Sequence, residues 1–164
     1  MAFVPPNFDP PEMVEADGFN IKPLTIHDAI IDYDAVMTSI SSIRNTYWRA
    51  PGWPFDDLSL MQNIIDLGWH TKEREFRTSF AYIAVAKDEY RELGCLYIDP
   101  SIKEEFDADI QMWVRASEIE SNLDERLYQT VREWIARDWP FERVAYPGRE
   151  CTRQQWDALP NRAD

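Results

Sequence analysis

Asp66, His70 and Glu73 fall at i, i+4 and i+7 of one amphipathic stretch, which sets two carboxylates and an imidazole on a single helix face. Such a set could hold a metal ion or relay a proton. Across the same helix runs an apolar row, Met61, Ile64, Ile65, Trp69 and Phe76, and Arg77 continues the polar row at i+11. A polar row opposite a core face is where a solvated charge ladder belongs, so no metal is expected. Cys95 and Cys151 offer neither a disulfide framework nor a ligand spacing. Tyr47, Trp48 and Trp53 are different. They lie in NTYWRAPGWPF (45–55), too irregular for a helix or strand, and rings displayed on a loop can line a substrate cleft or pin the loop down.

A second concentration of chemistry is acidic. Glu118, Glu120, Asp124 and Glu125 crowd one turn between a strand and the best-patterned helix of the chain. In the strand, 108–115, Ile110, Met112 and Val114 alternate with Asp109, Gln111 and Trp113. In the helix, Leu123, Leu127, Val131, Trp134 and Ile135 form one apolar stripe. A strand feeding a helix this directly exposes the helix N-terminus, a natural anion site. Asn122 followed by Glu125 resembles a capping box, which would fill that site from within.

The remaining elements must position these groups. Residues 1–18 are proline-rich and without helical period, an N-terminal arm ahead of a single domain over 19–164. Phe19–Leu24 reads as a first strand, and Thr25 with Asp28 as the cap of a helix reaching Arg44, its apolar face including Ala29, Ile30, Tyr33 and Val36. The second helix spans 57–77. Strands at 80–87 and 93–99 are joined by a polar turn, and a strand at 141–146 stops at Pro147-Gly148, leaving room for one short helix.

Formal net charge is −13, which repels nucleic acid and anionic membrane surfaces and suits a cationic or amine-bearing ligand. No apolar run reaches the roughly 20 residues of a membrane span, and the N-terminus lacks a signal-peptide pattern, so a cytoplasmic protein is expected.

The order strand, two helices, three strands, helix, strand, helix resembles that of the GNAT superfamily of N-acetyltransferases over nearly the whole chain. The resemblance implies an α/β fold with a mixed sheet of about five strands, an antiparallel meander plus one parallel crossover, and helices on both faces. In that family the fourth strand and the helix after it bind acyl-CoA, and the strand's hydrophobic triplet is matched here by Met112-Trp113-Val114. Carried over position by position, the cofactor-binding residues are Met112, Val114, Arg115, Ser121, Asn122 and Leu123. The general base would be Asp109, whose carboxylate could equally be exposed near a strand end, and the general acid Tyr146.

Two departures accompany the match. The family's pyrophosphate loop carries a basic residue and glycines, where this chain has Ile119 and then Glu120, Asn122 and Asp124. Losing two or three charge-assisted hydrogen bonds, at roughly 1.5–3 kcal/mol each, moves a micromolar ligand towards millimolar. Weak or absent acyl-CoA binding is therefore expected. The family's terminal strand hairpin is also missing, since only 16 residues follow Gly148. An edge left open there calls for cover by the arm, the C-terminal segment or a second copy in a homodimer. The function implied is transfer of an acyl group from acyl-CoA to a small amine; the alternative is a binding or interaction module of the same fold that has lost CoA.

Overall fold

Six strands form one mixed sheet, ordered as they occur in the chain: β1 (Val14–Glu15), β2 (Phe19–Pro23), β3 (Phe80–Ala86), β4 (Glu92–Pro100), β5 (Ala108–Val114) and β6 (Val144–Ala145). They are seen in a computed structural model that describes residues 3–163. Neighbours from β1 to β5 pair antiparallel, and β6 pairs parallel to β5. The antiparallel meander and the parallel crossover implied by the sequence are both present. The sheet has six strands rather than five because the arm contributes β1.

Alternation along β3, β4 and β5 divides the core. Tyr82, Leu96, Ile98, Ile110, Met112 and Val114 pack beneath α4 (Leu123–Asp138). Ala81, Ile83, Cys95, Tyr97 and Trp113 pack on the opposite face, beneath α1 (Ala29–Met37), α2 (Ile40–Ile43) and α3 (Leu60–Phe76). With both faces covered these strands are buried almost throughout. On α4 the predicted stripe is the buried one: Leu123, Leu127, Val131, Trp134 and Ile135 all face the sheet. Each such side chain contributes roughly 1.5–3 kcal/mol.

Three expectations change. The helix from Thr25 to Arg44 is broken. Thr25 does make both capping-box bonds, but to a 3-10 turn, Ile26–Asp28, and the chain bends again between α1 and α2. Ile30 is 67% exposed, and Asp32 is buried on the inner face instead.

The second correction is α3, which is rotated from the expected orientation. Met61, Ile65, Trp69 and Phe76 are exposed, while Asn63 and Leu67 are buried with Ile64, His70 and Arg74 partly covered beside them. The inward row is thus Asn63, Leu67, His70 and Arg74, between the two predicted rows, and its polar members find partners there. Asn63 donates to Asp32, and Arg74 donates to the Tyr82 hydroxyl, the Pro10 carbonyl and Glu12.

The third concerns the edges. The arm supplies β1, but on β2, at the opposite edge from the one expected to need cover. It is also part of the core: Val4 is buried and Phe3 stacks on Phe141. Beyond β6 the C-terminal segment turns back, with a bridge between Pro147 and Cys151 and another between Lys103 and Asn161. Between them it carries a short helix, α5 (Arg153–Ala158).

Candidate functional site

The parallel pairing between β5 and β6 lasts two residues, Ala108 with Val144 and Asp109 with Ala145. Beyond Asp109 the two strands part, and that edge of β5 has no strand partner among the described residues. A cleft of about 610 Å³ opens along it, lined by Met112, Trp113 and Val114, by Asn122, Asp124 and Glu125 at the start of α4, and by Pro147, Gly148 and Arg149 after β6. Trp48 forms part of the wall, and Gly148 holds a φ of +83°, where a Cβ would be strained and would stand 3.5 Å from the Trp48 ring.

The capping box at Asn122 does not form. Asn122 adopts the left-handed conformation, φ 59° and ψ 18°, and its side chain makes no capping hydrogen bond. Asparagine tolerates that conformation better than most residues, and here it joins a 3-10 turn, Ala116–Ser121, to α4. The amides of the first turn are thus left without the side-chain acceptor that a cap would supply. Asp124 is not free: Arg149 grips it through both guanidinium nitrogens at 2.7 and 2.9 Å. Asp124 and Glu125 remain as carboxylates on the cleft wall, and Arg149 is the cation beside them.

Of the residues expected to bind cofactor, Met112, Val114 and Asn122 come together at this cleft. Leu123 lies in the core under α4, and Ser121 is exposed, donating to Glu118. Arg115 is buried on the α1 side, donating to Asp34 at 2.7 Å, to Thr38 and to the Glu92 carbonyl. The arginine that does line the cleft is Arg149, which lies outside the loop that the resemblance pointed to. The available signal was a lone arginine directly after a Pro-Gly turn.

Asp109 pairs with Ala145 where β5 and β6 part, and it does not itself line the cleft. Asp99 is its direct cross-strand partner on β4, and Arg49 joins the two carboxylates, at 2.7 Å from Asp109 and 3.3 Å from Asp99. The Tyr47 hydroxyl donates to Asp99 at 3.0 Å, and the Trp48 amide donates to Gln111 at 2.8 Å, fixing the aromatic loop to this end of the sheet. Burial pushes Asp109 above the usual carboxylate range, against the pull of Arg49. Burial lifts Asp99 to about 6, with Arg49 and the Tyr47 hydroxyl opposing and the charge of Asp109 adding. Arg49 was not singled out from the sequence, because only the fold brings the loop to these acids.

Tyr146 is buried against α4, edge-on to Tyr128 at 5.4 Å, and lines a separate depression with Arg132 and Glu150. Burial first, then the charge of Glu150, pushes its hydroxyl far above the ordinary tyrosine range. It does not line the cleft.

The three loop rings part company. Trp48 faces the main cleft, whereas Tyr47 and Trp53 line a second pocket of about 340 Å³ on the α1–α3 side. Asp32 and Asn63 lie in its lining, joined at 2.7 Å. Behind Asp32 stands Glu92, fully buried, neither of its carboxyl oxygens having a donor among the described residues. Burial and the charge of Asp32 push the Glu92 carboxyl well up from its ordinary value. Asp32 itself is pushed up to about 6 by burial, with Asn63 and Glu92 opposing. His70 pairs with Glu73 at 3.0 Å, and no group of three or more candidate ligands among the described residues could hold a metal ion.

No family model matches this chain, and no curated protein is significantly similar in sequence. Solved structures, however, share its fold. The ribosomal L7/L12 alpha-N-protein acetyltransferase RimL is 13% identical, with a TM-score of 0.64 over 82% of this chain and 70% of its own. RimL has also been solved with coenzyme A, at a TM-score of 0.63. The microcin C7 self-immunity acetyltransferase MccE, in complex with acetyl-CoA and AMP, is 10% identical, with a TM-score of 0.61 over 85% of this chain and 74% of its own. A ribosomal-protein-S5-alanine acetyltransferase from Vibrio fischeri is 14% identical, with a TM-score of 0.57 over 83% and 73%. At such identities the likeness establishes the fold: this chain has the GNAT acetyltransferase fold.

Proposed function

We propose that the protein is an acyl-CoA-dependent acyltransferase acting on an amine, with the donor in the cleft between β5 and β6. The observation that carries this reading is the parting of those strands just beyond Asp109, next to an uncapped α4 N-terminus. The unpaired edge of β5 offers backbone donors and acceptors to an extended, amide-bearing chain, as an exposed sheet edge does to a peptide strand. The first-turn amides of α4 favour a diphosphate by hydrogen bonding and by the helix dipole. Arg149 is near enough to exchange its bond with Asp124 for one to phosphate. When bound, the cofactor supplies an activated thioester carbonyl. Backbone amides of β5 where it parts from β6 polarise that carbonyl, and Asp109, at that parting and held in place by Arg49, takes the amine proton directly or through water.

The second reading, a binding module of this fold without CoA, draws on the two carboxylates in the cleft wall, Asp124 and Glu125. Both oxygens of Asp124 already occupy the one arginine that could answer a phosphate. Release of free thiol from acetyl-CoA, followed with a panel of small amines and N-terminal peptides, separates the two. Amine-dependent turnover supports the transferase. Absence of turnover with every acceptor, together with absence of acetyl-CoA binding, supports the module.

A further inference from the structure

We propose that the second pocket, on the α1–α3 side of the sheet, is a binding site for a small organic cation bearing a primary or quaternary ammonium group. At about 340 Å³ it has room for roughly ten waters, at roughly 30 Å³ each, and so for a ligand of that bulk. Its walls are largely aromatic, built from Tyr47, Trp53, Phe55, Trp69 and Tyr97. The tyrosine hydroxyls are engaged elsewhere, Tyr47 donating to Asp99 and Tyr97 accepting from the Trp113 indole. Their rings stack on each other at 4.4 Å, so the negative ring faces left to attract a cation, within roughly 6 Å of the ring centre, are chiefly those of Trp53, Phe55 and Trp69.

The charge in the pocket has one sign. Asp32 and Asp66 belong to the lining, and no lysine or arginine does. His70, the one basic group, is taken by Glu73. Asp32 is 3% exposed and Glu92 is wholly buried behind it, its carboxyl oxygens unpartnered. Asp28 also acts on this pair, and Arg115 reaches it only from the far side, where it is committed to Asp34 and Thr38. A buried acid pair whose nearby basic groups, His70 and Arg115, are each held by another carboxylate is costly to keep. A cationic ligand would neutralise it; a neutral or anionic ligand would not. A purely structural role for Asp32, holding Asn63, leaves the ring-lined space unexplained and predicts no selectivity for charge.

The proposal does not rest on acyl transfer, and its test is run without any acyl-CoA. Choline and butylammonium would be titrated into the protein beside their neutral isosteres, 3,3-dimethylbutanol and butanol, following tryptophan fluorescence and indole NMR signals. At least one cation is expected to saturate a single site and to bind at least about tenfold more tightly than its isostere, a difference of about 1.4 kcal/mol. Asp32→Asn should weaken it about tenfold, and Phe55→Ala several-fold. Phe55 is 55% exposed, so that variant keeps the test open if the Asp32 variant fails to fold. Equal binding of cation and isostere, no saturation by either cation at about 100 mM, or binding indifferent to the folded variants would each overturn the proposal.

Discussion

Asp99 and Asp109 face each other across β4 and β5, and without Arg49 between them each would raise the other's cost of ionisation. If Asp109 is the proton acceptor, Asp109→Asn should lower turnover by roughly 10²–10⁴-fold. Its acetyl-CoA affinity, read by calorimetry, should stay close to wild type, because Asp109 does not line the cleft. Tyr146→Phe should leave turnover unchanged, since that hydroxyl lies against α4; a large loss would return it to the mechanism. A second residue-scale prediction concerns Asp32, lifted from 3.8 to about 6 in the folded state. A raised carboxyl binds its proton more tightly folded than unfolded, so its contribution is most favourable below pH 4 and is lost as pH rises through about 6. Asp32→Asn should therefore gain stability over wild type across that window, on the order of 2–3 kcal/mol by pH 7. Denaturant melts at several pH values would show it, and a gap independent of pH would refute it. Period-two patterning placed Asp109 on β5 but left open whether its carboxylate is buried, which the loop carrying Arg49 decides. Arg49 and Arg149 were not legible, because each meets its carboxylate across a long gap in the chain that only the tertiary fold closes.

At the scale of elements, β5 and α4 were readable because their apolar residues keep a clear period, whereas the turn between them, expected to cap α4 at Asn122, was not. Nor was the second helix. Both rows of α3 repeat at helical spacing, so periodicity could not say which faces in, and two of the deciding partners, Asp32 and the arm, lie far away in sequence. The observed orientation makes an asymmetric prediction. Ile65→Gln should change stability by no more than about 0.5 kcal/mol, whereas Leu67→Ala should cost roughly 2–5 kcal/mol. The reverse order in thermal melts would mean that α3 sits as the sequence pattern suggested. β4 supplies a second test. A Cβ on Gly94 would stand 2.3 Å from the Trp113 carbonyl oxygen, so this glycine allows β4 to approach the strand that walls the cleft. Gly94→Ala should destabilise by about 1–3 kcal/mol and weaken donor binding as Trp113 and Val114 are displaced. A variant as stable as wild type would show that β5 gives way freely.

For the molecule as a whole, element order was enough to indicate the sheet, while the arm's role as a sixth strand escaped because two paired residues in a proline-rich stretch leave almost no pattern. The expectation of weak CoA binding rested on the loop's missing basic residue and glycines, on its acids and on a cap at Asn122, and the last of these has gone: Asn122 does not cap α4. Among those that remain is the acid-rich turn on a chain of net charge −13. Its long-range repulsion should slow the approach of a polyanion at low salt more than at physiological salt. The most direct test of the account is calorimetric titration of acetyl-CoA into wild type and into Glu120→Gly/Asn122→Gly/Asp124→Gly. The β5–β6 cleft as donor site predicts saturable binding to wild type with Kd below about 1 mM, tightening in the triple variant as Arg149 is released from Asp124. No binding to either protein, with both folded, would contradict it.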